Sequence, residues 1–535
     1  MKGPPAPRSG TAFGGDSPRA LIGGLVAGAL AFAALVLVGQ VSAKVSAAAF
    51  AGLVTVLLVP LTGNPRLACL YLVLLFAPLG LRATFFRFPH MGGAGATFID
   101  LVDPFIFALL FFQLRDRFLG LRPFRMPPAM WFWAGMIVLG VGSVIFGTLR
   151  TTSANETVRM FKLLLLALAV LNEVVRPQQF RHVIIAIAAG MVLQSGVALA
   201  QYGLGRQLGL QILGEASNDD IEALSTATLL TRDFVYRPSG LLGHANLLAA
   251  YLALYMPMAV ALLLSPLSRG LKALLALSLV LGLPALVLTL SRAGWIEYSV
   301  AFVLVLWLGS LHPVSRRVFM PARTVLIAVT AIGVLALTPP IVQRLSASDP
   351  TAVEYRLEWL RTAAAMVADN PVFGVGLNTY VYKQLPYGAD KTPEAMTERY
   401  GPLWPAVHNS WALVWTEQGT VGFIFWVAVH VSILRVAVRN LRIRDPVLHA
   451  MNAGLMAGFI AIMIDGLASF FVRTEAPARL FWIAAALILA LGTWRRSQEQ
   501  AEAAAAAREP ETTAGPAPGR GRRARWLPAR QRGLR

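Results

Sequence analysis

Cysteine is almost missing from this chain, and charge is scarce. A single cysteine, Cys69, stands among 535 residues. It excludes an intrachain disulfide and any paired-cysteine zinc or redox motif, and its apolar surroundings make it a packing residue. Charged residues make up 14% of the sequence, against roughly 25% in a soluble domain, so an ordinary soluble fold is excluded. Acidic side chains are scarcest, with 27 Asp and Glu against 47 Lys and Arg. No Asp/Glu/His grouping has metal-ligand spacing, and Asp219-Asp220 is the one carboxylate pair in an expected external loop. There is no internal repeat. Ten-residue segments of alternating polarity are also missing, which excludes a membrane β-barrel.

Long apolar runs are what the chain has instead. Hydrophobic residues reach 56% and mean hydropathy is +0.62. A membrane-spanning helix needs about 20 mainly apolar residues. Runs of this kind fall near 20–40, 45–62, 66–81, 98–114, 129–148, 157–174, 180–203, 241–264, 271–291, 294–311, 323–342, 409–434, 447–472 and 477–494. The expected fold is therefore an all-α, polytopic membrane helix bundle of about 12–14 transmembrane helices. The first run is long for a secretory leader and has no convincing small-residue cleavage site, so it is expected to stay as a span.

The net charge of +20 reads as topology. Basic residues collect in cytoplasmic loops, and they are spread along the chain rather than gathered into a nucleic-acid surface. With the N-terminus inside, cytoplasmic loops hold Arg115, Arg117, Arg122 and Arg125, then Arg176 and Arg181, Arg269 and Lys272, Arg316, Arg317 and Arg323, and Arg435, Arg439, Arg442 and Arg444. This orientation puts two polar loops outside, near 204–236 and at 343–408. The ends, 1–18 and 495–535, have the composition of disordered cytoplasmic segments. The basic tail suits anionic lipid headgroups, and a protein partner for it stays open.

Residues 343–408 form the largest polar insert between spans, and long structured loops usually carry function. Asp349-Pro350 reads as an N-cap followed by Pro at the first helical position. The helix it opens runs to about Ala368, with Val353, Leu357, Leu360, Ala364 and Val367 forming an apolar face. Gly374 and Gly376 in NPVFGVGLNTY allow a tight turn, but no parallel strand precedes them, so a dinucleotide site is excluded.

Ionisable groups at the edges of spans are the candidate site residues, because each costs a few kcal/mol at the bilayer centre unless paired or wet. Arg292 in LTLSRAGW lies in a short external turn between two helices, either as a lipid-facing anchor or as a fixed donor fork for a phosphate. Arg237 in YRPSG precedes a span whose top carries His244 and Asn246. Asn246 is also readable as a helix–helix hydrogen bond, and a histidine in the place of His244 is more often structural than catalytic. Arg356 lies on the loop helix, and His408, next to Asn409, ends the loop at the mouth of a span. Histidine transfers protons near neutral pH, and arginines stabilise a departing diphosphate. Glu417 and Asp465, inside later spans, are expected to pair with arginines. Together these groups suit a lipid-linked anionic substrate.

The run RPSGLLGHANLLAAYLAL, then LTLSRAGW, then YRLEWLRTAAAMVADNPVFGVGLNTY, then HNSWALVWTEQGTVGF resembles the O-antigen ligase / O-antigen polymerase superfamily of bacterial envelope glycosyltransferases, over about residues 230 to 435. The resemblance implies a metal-independent, inverting enzyme without cofactor, in the bacterial inner membrane with its active site at the periplasmic face. It implies transfer of a glycan from undecaprenyl diphosphate to an acceptor hydroxyl on lipid A–core, on a second lipid-linked glycan or on a protein. Carried to this sequence, it makes His408 the base and Arg292 and Arg356 the diphosphate-binding and charge-stabilising groups. Arg237, Asn246 and Asn409 become substrate-binding candidates. The expected organisation is N-terminal spans at 19–230, a catalytic core at 231–435 and C-terminal spans at 436–494. The competing reading is a transporter or flippase of lipid-linked glycans or other anionic solutes, which predicts midplane charges and repeated halves.

Overall fold

A computed structural model describes residues 62–86, 93–216, 236–313, 350–387, 406–470 and 473–506, with a few single positions besides. The expected spans near 20–40, 45–62 and 323–342, the acidic part of the 204–236 loop and the far C-terminal tail lie outside the described residues, apart from isolated positions.

The chain is a helical, multi-pass membrane protein. In order, the elements are α1 (Pro65–Phe76), a two-stranded antiparallel hairpin of β1 (Arg82–Phe85) and β2 (Thr97–Asp100), α2 (Asp103–Phe118), α3 (Pro128–Phe146), α4 (Arg150–Glu173) and α5 (Pro177–Leu204). Then come α6 (Ala245–Leu263), α7 (Arg269–Leu288), α8 (Arg292–Gly309), α9 (Pro350–Asp369), α10 (Tyr380–Lys383), α11 (Ser410–Asn440), α12 (Pro446–Asp465) and α13 (Glu475–Ala506). Proline opens α1, α3, α5, α9 and α12, where its missing N–H costs nothing. Eight helices among the described residues are long and apolar enough to cross a membrane: α3, α5, α6, α7, α8, α11, α12 and α13.

Three helices correct the sequence reading. The run at 66–81 yields a helix of 12 residues, about 18 Å at 1.5 Å per residue. It ends at Phe76, and Gly80 then packs against the backbone of Gly214, an approach that excludes any side chain there. The run at 98–114 starts as strand β2, and its helix begins only at Asp103. The span expected at 157–174 begins seven residues earlier, at Arg150, in polar sequence that includes the buried Glu156 and Arg159.

At the centre sit α6, α12 and α13. The apolar windows of α6 and α12 are 83% buried and that of α13 is 100% buried, against 28% for α3 at the periphery. Close approach of α12 to α6 depends on Gly454 and Gly458. A Cβ on either would collide with the backbone of α6, at Met258 and Leu254 respectively. Small residues four apart let membrane helices touch backbone to backbone.

The 343–408 insert is described in part. Helix α9 occupies Pro350–Asp369 and packs on α11. The face that packs on the bundle is not the leucine stripe. Trp359, Thr362, Ala363 and Met366 are buried, while Leu357, Leu360 and Ala364 are exposed. The wide ring of Trp359 and the long side chain of Met366 fill a second small core with Val375, Tyr380, Val381, Ala406, Val407 and Leu413. That packing outweighs the leucine stripe in setting the helix rotation.

Candidate active site

The turn between α7 and α8 is built for a sharp reversal. Leu290 takes φ 53, a left-handed conformation costly for a branched side chain. Ser291 then caps α8 by accepting from Gly294 N at 3.3 Å, so Arg292 stands at the first helical position, half-buried. Facing this turn, Arg237 donates through Nε to Thr289 O and through Nη2 to Asn246 Oδ1, both at 2.8 Å. His244 caps α6, its Nδ1 accepting from Asn246 N at 3.0 Å. In the neutral ring that leaves the proton on Nε2.

From the other side come α9 and the start of α11. His408 lies against Trp359, rings stacked with centroids 4.8 Å apart and planes 14° apart. Phe470, from the turn after α12, meets the same imidazole edge-on at 4.8 Å. Burial in this aromatic slot, reinforced by the Arg356 guanidinium, holds the His408 ring down to about 4, from an ordinary 6.5. Among the described residues Nδ1 of His408 has no hydrogen-bond partner, although the Ala406 carbonyl is near enough to favour the charged ring slightly. The imidazole is therefore neutral at pH 7 and able to accept a proton. Burial likewise holds His244 down to about 4, with Arg237 and then His408 adding to the effect.

Three candidate residues are thus brought together. Arg356 lies close enough to His408 and to Arg292 for each charge to act on its neighbour, and Asp465 acts on Arg356 from the end of α12. Arg356 is exposed on α9, yet partial desolvation first, and Arg292 second, lower its guanidinium from the ordinary value. Among the described residues neither Arg292 nor Arg356 closes a salt bridge. Their donor forks retain capacity for an anion. Glu297, on α8, meets Asp465 side chain to side chain beneath them, and Ser469 Oγ donates to Asp465.

Other expected roles are reassigned. Asn409 spends both ends of its amide on the fold: Oδ1 caps α11 at Ala412 N (2.9 Å) and Nδ2 donates to Leu467 O (3.2 Å). It caps the helix, because asparagine at that position satisfies an orphan helix N–H. Asn246 holds Arg237. The glycine turn serves packing. Val375 N and Gly376 N donate to Thr416 O and Glu417 O at 2.9 and 3.0 Å, across a break in α11 where Gly419 takes φ 64 and ψ −169. Glu417 pairs with a buried arginine, as expected, and the partner is Arg473.

Trp359, Phe470, Glu297 and Arg473 are absent from the sequence reading. Arg473, like Arg479, interrupts an apolar run in FVRTEAPARLFW, the same signal that picked out Arg292. The aromatic pair carried no such mark, because Trp and Phe are ordinary membrane-protein residues.

Residues 277–427 match a family model described as O-Antigen ligase. The chain carries an O-antigen ligase domain. That likeness supports a role in glycosyl transfer of the ligase or polymerase kind. Arg292, Arg356 and His408 fall within the matched O-antigen ligase segment, whereas Arg237, His244, Asp465, Phe470 and Arg473 reach the same end of the bundle from outside it. No curated protein matches the chain.

Proposed function

We propose that this chain transfers a glycan from undecaprenyl diphosphate to an acceptor hydroxyl, with inversion, at the periplasmic face of the bacterial inner membrane. The observation that carries the reading is a neutral, slotted imidazole beside two arginine forks that close no salt bridge among the described residues. His408 takes the proton from the acceptor O–H as the oxygen bonds to the anomeric carbon. The bond from that carbon to the diphosphate oxygen breaks, and its electron pair leaves with the lipid diphosphate. Arg292 and Arg356 stabilise the charge that develops there. Attack from the face opposite the leaving group inverts the anomeric centre. Arg237, held by Thr289 O and Asn246, flanks the same mouth and suits the donor glycan or its phosphate. The catalytic unit is assigned to 231–435, with the flanking spans supplying Asp465 and Phe470.

The decisive assay supplies purified protein with an undecaprenyl-diphosphate glycan and candidate acceptors in the presence of chelator. Transfer is expected, and is expected to disappear in His408→Ala and Arg292→Ala. Full activity in both variants sinks the site assignment. Donor binding and translocation without bond formation establishes a transporter instead.

A further inference from the structure

A second set of charges, remote from the arginine forks, lies buried at the same end of the bundle. Arg473 is 6% exposed. Its Nη1 donates to Glu156 Oε1 on α4 at 2.7 Å, and its Nη2 donates to Glu417 Oε2 on α11. Glu156 also receives Arg159 and, at 3.2 Å, Ala94 N; Glu417 Oε1 receives Tyr380 N at 3.3 Å. One guanidinium thus joins α4, α11 and the segment leading into α13. A lysine ammonium gathers its donors at a single point and lacks the rigid fork that sends Nη1 to one carboxylate and Nη2 to the other.

The same segment builds one wall of the histidine slot. Arg473 N donates to Phe470 O at 2.8 Å, which fixes the anchored residue to the aromatic one. Just upstream, the carbonyls of Gly466 and Ser469 accept from Ser410 N at 2.7 and 3.0 Å, and Ser469 O also accepts from Ser410 Oγ at 2.8 Å. The turn after α12 is therefore stitched at one end to the first residue of α11, two places beyond His408. At its other end it is pinned by Arg473. Phe470 lies between these two attachments.

We propose that Arg473 is a positioning residue for glycosyl transfer: through the Glu156–Arg473–Glu417 bridge it holds Phe470 against His408 and so keeps the imidazole dry and oriented. This inference rests on the proposed role of His408 as the base. Arg473 itself touches neither His408 nor the cationic forks. Among the described residues, the charged and titratable groups facing His408 are Arg356 from α9 and His244 from the start of α6, with Arg292 and Asp465 behind Arg356. Trp359 and Phe470 shield the ring from water in part, without adding charge. Loosening Phe470 therefore leaves the charges in place and lets water reach the ring, which raises its affinity for a proton.

The test uses the full chain in lipid nanodiscs, with Arg473→Lys, Phe470→Ala and the double variant. Arg473→Lys keeps the charge, so the two buried carboxylates are not abandoned outright. Titration of isotope-labelled histidine, assigned through His408→Gln, is expected to show the His408 proton affinity rising from about 4 towards 6.5 in Arg473→Lys and equally in Phe470→Ala. Transfer is expected to fall roughly 10- to 100-fold in kcat with donor KM unchanged, the scale of a small misplacement of a catalytic group. The double variant is expected to be no worse than Phe470→Ala alone, since both act through one contact. The proposal is overturned if Arg473→Lys lowers only the folded yield while the His408 titration stays as in the wild type. It is overturned equally if the two substitutions act additively, or if KM rises at constant kcat. The titration needs no substrate. A wild-type protein that transfers no glycan would therefore refute the functional reading while the titration still judged the positioning.

Discussion

Trp359 lies flat on His408, 4.8 Å between ring centroids and 14° between planes. The stack connects the loop helix α9 to the mouth of α11, and it covers one face of this imidazole. The acid limb of kcat/KM, which reports the free enzyme, is expected near pH 4 in the wild type. In Trp359→Ala the limb should move up towards 6.5 as the ring rehydrates. His408→Ala should lose roughly 10²- to 10⁴-fold in kcat. An acid limb that stays put in Trp359→Ala would show that the stack does not govern the ring.

Histidine burial also sets the pH dependence of stability. His408, His244 and His90 are each held down to about 4, chiefly by burial. The unfolded chain takes up these protons near 6.5, so between those values it binds more protons than the folded one. Stability therefore rises with pH across the window and is lost as pH falls from about 6.5 to about 4. Thermal unfolding in detergent at pH 4.5 and pH 7 should show a clearly lower Tm at the acid value. His244→Gln should reduce the difference, and an unchanged slope in that variant counts against the assignment.

Arg292 and Arg356 present planar forks rather than mere positive charge. Arg292→Lys and Arg356→Lys should each lower kcat/KM for a diphosphate-linked donor by roughly 10- to 100-fold while folding normally, the scale of one lost charge-assisted contact. Arg442→Lys, at the opposite end of the bundle, should leave kcat/KM unaltered. Equal activity across all three lysine variants would remove the forks from the mechanism.

Asn409 separates a capping role from substrate binding. Asn409→Ala should destabilise by about 1 kcal/mol through the lost N-cap, and Asn409→Asp should recover most of that. The donor KM of the aspartate variant should match the wild type. A large rise in KM there would restore Asn409 as a substrate contact.

Gly374 and Gly376 should respond differently to alanine. At Gly374, φ is +71 and a Cβ would lie 2.5 Å from the backbone of Glu417 and Gly419. Gly374→Ala should cost about 2–4 kcal/mol, by overpacking and backbone strain together. Gly376 has φ +110 but only ordinary contact with Thr379 at 3.4 Å, so its alanine pays the backbone term alone. Comparing the two melting temperatures checks the order. Equal losses would show that the docking of this turn into the α11 break is not tight.

Much of the architecture is legible in a linear reading, because a bilayer admits few backbone solutions and hydropathy marks them directly. α3, α5, α7 and α8 fall close to the expected runs, and Pro350 starts α9 as expected. The errors occur where hydropathy stops deciding. At 98–114 the apolar run passes through a hairpin strand before its helix, since Phe98 and Ile99 suit either state. On α9 the leucine stripe marks an apolar face but not the one that packs on α11, because rotation is set by the fit of Trp359 and Met366 into a core made by distant residues. Asn409 looked like a ligand beside His408, yet its amide completes the helix start that holds that histidine.

The sequence alone determined that this chain is a bundle of apolar helices, and it marked His408, Arg292 and Arg356 as polar groups too costly in lipid to be idle. Only the tertiary structure decided that these three meet, that aromatic rings enclose the histidine, and that Arg473 holds one of those rings through two carboxylates more than 50 positions away along the chain. The physical reason is range. Desolvation by lipid acts on each segment independently and can be read residue by residue. Stacking, ion pairing and the proton affinity of a buried ring depend on neighbours that only helix packing supplies.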